Sequence, residues 1–275
     1  MLCEWKICLH DSVCEDGGTA LDYVMVESRG GHSVHSYGQY DVFRPVRRWI
    51  WVGADASGLI REIPGPYSFY TPAGKARWEA AGSPPLREGL SDAVFGPGGL
   101  RGTASRLAAG RDDPATASAV FDARPLRSLH DVSELLGETI VPADVRQAAY
   151  RIASRLPGVE TLTAVTDQLD RRGHGLVELD ADGSRRELIF AADYELLGYQ
   201  VTLLNPDRDY APPGTLISWT AYLARQWADQ LPPPAPGRTA VTNRSESLRH
   251  HPMADHAAAT VAADRGHATR PFRAT

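Results

Sequence analysis

The sequence predicts an α+β fold in which a curved antiparallel sheet packs on a few helices, and three observations carry the prediction. An amphipathic helix spans residues 142–156, turn chemistry punctuates the chain on both sides of it, and the connections between expected strands are short. Short connections make neighbouring strands antiparallel, because parallel pairing needs a crossover of a dozen or more residues. The apolar stripe of the helix needs a sheet face to cover.

From the N-terminus, residues 21–27 and 33–40 read as two strands joined by a turn at Arg29-Gly30-Gly31, and 47–52 and 59–63 as a pair across Ala54-Asp55-Ala56-Ser57-Gly58. Trp49 and Trp51 fall on one face of their strand, Ile50 and Val52 on the other. A strand apolar on both faces is either sandwiched or lines a cavity. Thr71 and Pro72 are a cap and a first-turn residue for a helix over 73–81, anchored by Trp78 and ended by Gly82-Ser83-Pro84-Pro85. Over 87–122 the pattern weakens: Phe95-Gly96-Pro97-Gly98-Gly99 reads as a loop, with short helices expected around Arg106 and Ala119. Ser128 then caps a short helix carrying Leu129, Val132, Leu135 and Leu136.

Pro142 suits the first position of the next helix, Asp144 its positive end, and Arg151 and Arg155 its negative end. Val145, Ala148, Ala149, Ile152 and Leu156 recur at helical spacing as one apolar stripe, and Pro157-Gly158 stops the helix. A strand over 159–167 follows, then strands at 176–180 and 185–190 around Ala181-Asp182-Gly183-Ser184, where Asp-Gly accepts the positive φ of a tight hairpin. A turn at 191–195 leads to a strand at 196–204. A last strand at 214–223 sets Ile217, Trp219, Ala221 and Leu223 on one face.

At 275 residues and 43% hydrophobic, the chain can bury a substantial core. The expected organisation is a poorly ordered leader over 1–19, one α+β domain over 20–231, and a disordered tail over 232–275, whose only aromatic residue is Phe272. A net charge of −5 and a pI near 6.0 offer no basic field for nucleic acid. No stretch approaches the roughly 18 uninterrupted apolar residues of a membrane span. Lys6 and Lys75 are the only lysines, so arginine supplies nearly all the positive charge. Cys3, Cys8 and Cys14, with His10, form one loose cluster without the paired knuckles of a structural zinc site. His250, His251, His256 and His267 in the tail make at best an adventitious binder, so no metal and no cofactor is expected.

The run Gly96-Pro97-Gly98-Gly99-Leu100-Arg101-Gly102 has Arg101 where a dinucleotide loop needs its last glycine, and it lacks a Lys-Ser/Thr finish. Signatures of zinc hydrolases, serine hydrolases and dithiol redox centres are missing as well. Two acidic pairs, Asp55 with Glu62 and Asp180 with Asp182, are the acid/base candidates, since two carboxylates in a dry cleft split their pKa values. Against them, hairpin turns recruit aspartate for local backbone bonding. His130 and His174 have no partner in sequence and read as surface or capping residues. The ligand-binding candidates are Trp49, Trp51 and Trp219, and the chain is expected not to be an enzyme.

Four runs carry a family resemblance: Trp51-Val52-Gly53-Ala54-Asp55-Ala56-Ser57-Gly58-Leu59-Ile60-Arg61-Glu62; Thr71-Pro72 through Arg77-Trp78-Glu79-Ala80-Ala81-Gly82-Ser83-Pro84; Arg146-Gln147-Ala148-Ala149-Tyr150 through Leu156-Pro157-Gly158-Val159; and Pro213-Gly214-Thr215 through Trp219-Thr220-Ala221-Tyr222-Leu223. In that order they resemble an actinobacterial, membrane-anchored family often encoded beside extracytoplasmic-function sigma factors. The resemblance implies a cytoplasmic stub, one membrane helix and an exported domain similar to the half-barrels of lipoprotein carriers and of periplasmic sigma-factor regulators. The membrane helix is missing from the chain as given. The expected location is therefore extracytoplasmic by resemblance, or cytoplasmic if the chain as given is complete. Three functions stay open: an envelope domain that binds a protein partner or senses stress, a carrier of a lipid or other apolar ligand in the concave face, and a hydrolase using an acidic pair.

Overall fold

The computed structural model describes residues 23–36, 40–53, 55–83, 92–100, 121, 125–180, 183–205, 211–233 and 241–242. In chain order these form β1 (Tyr23–Ser36), β2 (Tyr40–Gly53), β3 (Gly58–Pro64), β4 (Ser68–Phe69), α1 (Pro72–Ala80), β5 (Asp92–Phe95), α2 (Leu129–Gly137), α3 (Ala143–Ala153), β6 (Glu160–Thr166), β7 (Arg172–Leu179), β8 (Ser184–Phe190), β9 (Leu196–Leu203), β10 (Leu216–Ala228) and β11 (Val241–Thr242). The leader with its cysteines, the helices expected around Arg106 and Ala119, Asp182, and the histidines of the tail lie outside the described residues. Within the span read as a tail, Val241 and Thr242 pair with β5.

The strands make one open sheet in the order β11-β5-β3-β2-β1-β10-β9-β8-β7-β6, with β4 paired to β2 off this path. Each pairing is antiparallel except β11 with β5. Two meanders, β1–β3 and β6–β10, are therefore zipped together where the two long strands β1 and β10 meet. One core joins Val24, Val26, Ile50, Val52, Leu176, Leu188, Phe190, Tyr199 and Tyr222 of six adjacent strands to Leu129, Val132, Leu135, Val145 and Ala149 of α2 and α3. This is the α+β fold of a curved antiparallel sheet on a few helices.

The turn expected at Arg29-Gly30-Gly31 does not exist: β1 runs straight through it, paired with β10 on one side and β2 on the other. These glycines serve close approach instead of reversal. A Cβ on Gly30 would collide with the Trp219 carbonyl oxygen, and one on Gly31 with the Phe43 ring. The loop expected at Phe95 begins one residue too early, since Phe95 closes β5 against Gly58 of β3. Gly183, by contrast, sits at φ 81° in the β7–β8 hairpin, as the Asp-Gly pair requires.

Local chemistry sets the helix ends. Thr71 accepts from the Gly74 amide to cap α1, and Trp78 packs on Phe69 with ring centroids 5.3 Å apart. Ser128 accepts from the Asp131 amide at 3.2 Å, and Glu178 of β7 reaches across to accept from Leu129 N at 3.0 Å, so α2 is capped by its own chain and by the sheet. Pro142 is the N-cap of α3 and not its first residue, and no side chain caps that end. The buried stripe of α3 is Val145, Ala149 and Ala153, spaced by four. Ile152, expected in the stripe, is 36% exposed. Ile152 stands next to Ala153 on the flank of that stripe and stays open to solvent.

Candidate functional site

The expected tryptophan site does not assemble. Cross-strand partners share a face, so Trp49 opposite Glu27, Trp51 opposite Met25 and Trp219 opposite Gly31 all lie on the face away from α2 and α3. Trp219 meets β1 four residues beyond Trp49, roughly 13 Å along the strand. Arg47 lies 4.5 Å over the Trp49 ring and is bound to Glu27, while Arg61 lies 6.0 Å over Trp51 and forks onto Asp92. These rings are covered by paired cations, an arrangement that stiffens the sheet surface.

Asp55 and Glu62 are not brought together either, and Asp182 of the second acidic pair lies outside the described residues. Hydrogen bonding from the Ser57 side chain, and then from the Ser57 amide at 2.8 Å, holds the Asp55 carboxyl below the usual range. Glu62, four residues into β3, faces Arg44 and Arg48 at 3.6 Å each. Asp180 pairs with Arg186 at 3.0 Å. Arg48 also binds Glu138 after α2: burial alone would lower its guanidinium, but Glu138 and Glu62 outweigh burial and raise it.

What does assemble is a cup at the β6 side of the sheet. Tyr150 of α3, His174 of β7, Phe190 of β8 and Tyr194 of the β8–β9 turn bring four rings into mutual contact. Phe190, fully buried, stacks on His174 at 5.9 Å, and Tyr150 stands edge-on to His174 at 4.9 Å and to Phe190 at 5.1 Å. Above them opens a cleft of about 380 Å³ whose further wall is Thr161, Leu162 and Thr163 of β6.

His174 Nε2 is buried without a hydrogen-bond partner, and burial holds the imidazole below its ordinary pKa, so the ring is neutral at pH 7. An unmet buried nitrogen costs about 1–3 kcal/mol and calls for a partner. Burial, then the nearby Tyr194, raises the Tyr150 hydroxyl, so it too stays protonated and can donate. Tyr194 is held at φ 65°, a region tyrosine rarely adopts, by a turn in which Ala191 N donates to Glu195 O and Tyr194 N to Ala191 O. Such strain concentrates where side-chain placement matters.

His174 was expected as a surface or capping residue; instead it is the centre of the cup. Tyr150 and Tyr194 carried no sequence signal, because the four rings come from elements separated by up to 44 positions and meet only through strand pairing. His130 does lie on the surface, 3.3 Å from Glu134 one helical turn on. Among the described residues, no group of three His, Cys, Asp or Glu stands ready to hold a metal ion, and no helix is long and apolar enough to cross a membrane.

Fold and cleft together define an open antiparallel α+β domain with one aromatic recess at a sheet edge. Compared with family models, curated proteins and solved structures, the chain matches none of them.

Proposed function

We propose that the chain is a non-catalytic binding domain that takes an extended segment of a protein partner along β6 and seats one aromatic side chain with a hydrogen-bonding tip, such as tyrosine, in the His174 cup. The observation that carries this reading is the unmet His174 Nε2 inside a ring of Tyr150, Phe190 and Tyr194, next to a strand that pairs only with β7 among the described residues. An open sheet edge supplies backbone hydrogen bonds to an added strand, and a neighbouring pocket supplies side-chain selectivity. The family resemblance adds the setting: an envelope domain that reports on a partner in a sigma-factor circuit.

Random peptides displayed on phage and selected on the purified chain, with counter-selection on a Tyr194→Ser variant, test the site. Enrichment of sequences with a central tyrosine or tryptophan is expected, with amide NMR shifts at 161–163 on binding. Equal recovery on both proteins would sink the proposal. The setting is tested separately: deleting the gene and finding the neighbouring sigma regulon unchanged removes the envelope-signalling part.

A further inference from the structure

On the other side of the β8–β9 turn lies a second cavity, of about 200 Å³, between the α2–α3 loop and the start of β9. Its lining includes Thr139, Arg146, Glu195 and Arg225. Thr139 is 1% exposed and its Oγ1 has no partner; Arg146 Nε is likewise buried and unpartnered. The uncapped N-terminus of the eleven-residue α3 begins beside them, at Ala143. Buried donors in a folded protein are almost always met, and the two residues that carry these donors line the same cavity.

The acidic neighbours do not meet these donors. Arg146 Nη2 reaches Asp193 at 3.0 Å, but Asp193 is 61% exposed and its attraction is screened by water. Arg225 gives Nη1 to Glu195 at 2.8 Å and Nη2 to the Leu196 carbonyl at 3.0 Å, while its guanidinium lies over Tyr222 at 4.5 Å. Its side chain is 11% exposed, and burial, its largest influence, lowers its pKa. A cation held this deep gains from a further anion nearby.

We propose that this cavity binds a small oxyanion, a carboxylate or phosphate group, held by the Thr139 hydroxyl and Arg146 Nε–H with the Arg225 charge behind them. Oxygen acceptors complete both donors, and the helix end adds its positive pole. The inference is independent of the peptide reading, since none of its donors lines the His174 cup.

The test uses the full chain and two probes, inorganic phosphate and acetate, each titrated against chloride at matched ionic strength while the backbone amide signals of residues 139–141, which both variants keep, are followed by NMR. Saturable movement with one of them is expected, and the one that acts assigns the class. Arg146→Gln should weaken binding at least tenfold. Thr139→Val should weaken it several-fold while leaving the anion-free Tm unchanged or raised, because it removes an unmet hydroxyl. No saturable shift with either probe beyond that of chloride, as expected of a cavity that holds only water, would overturn the proposal. Saturable binding retained by both variants would overturn it as well.

Discussion

Helices α2 and α3 lie against the same sheet and contribute to the same core, yet they are built for different work. α2 buries Leu129, Val132, Ser133, Leu135, Leu136 and Gly137 and is capped twice, by Ser128 and by Glu178. α3 buries only Val145, Ala149 and Ala153, has no side-chain cap, and sends Arg146 and Tyr150, one turn apart, to the two cavities. One helix holds the sheet together and the other presents groups at its edge. Segments that bind tend to come from the less heavily buried parts of a fold.

The comparison breaks first at stability. Leu135→Ala in α2 should cost about 2–5 kcal/mol in urea unfolding, the range for deleting a buried leucine. Ile152→Ala, on the exposed flank of α3, should cost below about 1 kcal/mol by the same measurement. Near-equal losses would mean that α3 is as structural as α2. Ser128→Ala should cost about 1 kcal/mol, the usual worth of a cap, and leave peptide binding unchanged.

A finer test sets stability against binding within the α3 cup. Tyr194→Gly relieves a left-handed tyrosine but gives up its ring contacts with Tyr150 and His174, so stability should change by less than about 1 kcal/mol, while peptide affinity falls at least tenfold by fluorescence anisotropy. A parallel change in both would assign the turn a purely structural role. The smallest effect expected is one of pH. The folded state holds the His174 pKa below its ordinary 6.5, so between those two values the unfolded chain binds the extra proton. The contribution of His174 is therefore full above pH 6.5 and is lost as pH falls toward the folded value. The difference in unfolding free energy between wild type and His174→Phe should be flat above pH 6.5 and slope below it.

Much of the fold was legible, and the reason is local. Asp-Gly at the β7–β8 hairpin, Thr71 and Ser128 as caps, and Pro157-Gly158 after α3 each act within a few residues of themselves. The misreadings were non-local. Gly30 and Gly31 look like a turn until the backbone of β10 and the Phe43 ring arrive beside them. That Arg47 and Arg61, from the same and the neighbouring strand, lie over Trp49 and Trp51 was equally invisible in the spacing. Of the cup, only His174 had been weighed for a role of its own, and for the opposite one.

The sequence by itself determined the class of fold, the existence of α1, α2 and α3, and the order of the β6–β10 meander, because caps, turns and apolar periodicity are settled by neighbours in the chain. The tertiary structure alone decided that β1 is one unbroken strand, that Ile152 turns outward from α3, and that Tyr150, His174, Phe190 and Tyr194 share one recess. Each of these depends on what the sheet brings up against a residue from far along the chain, and no spacing within the sequence encodes that contact.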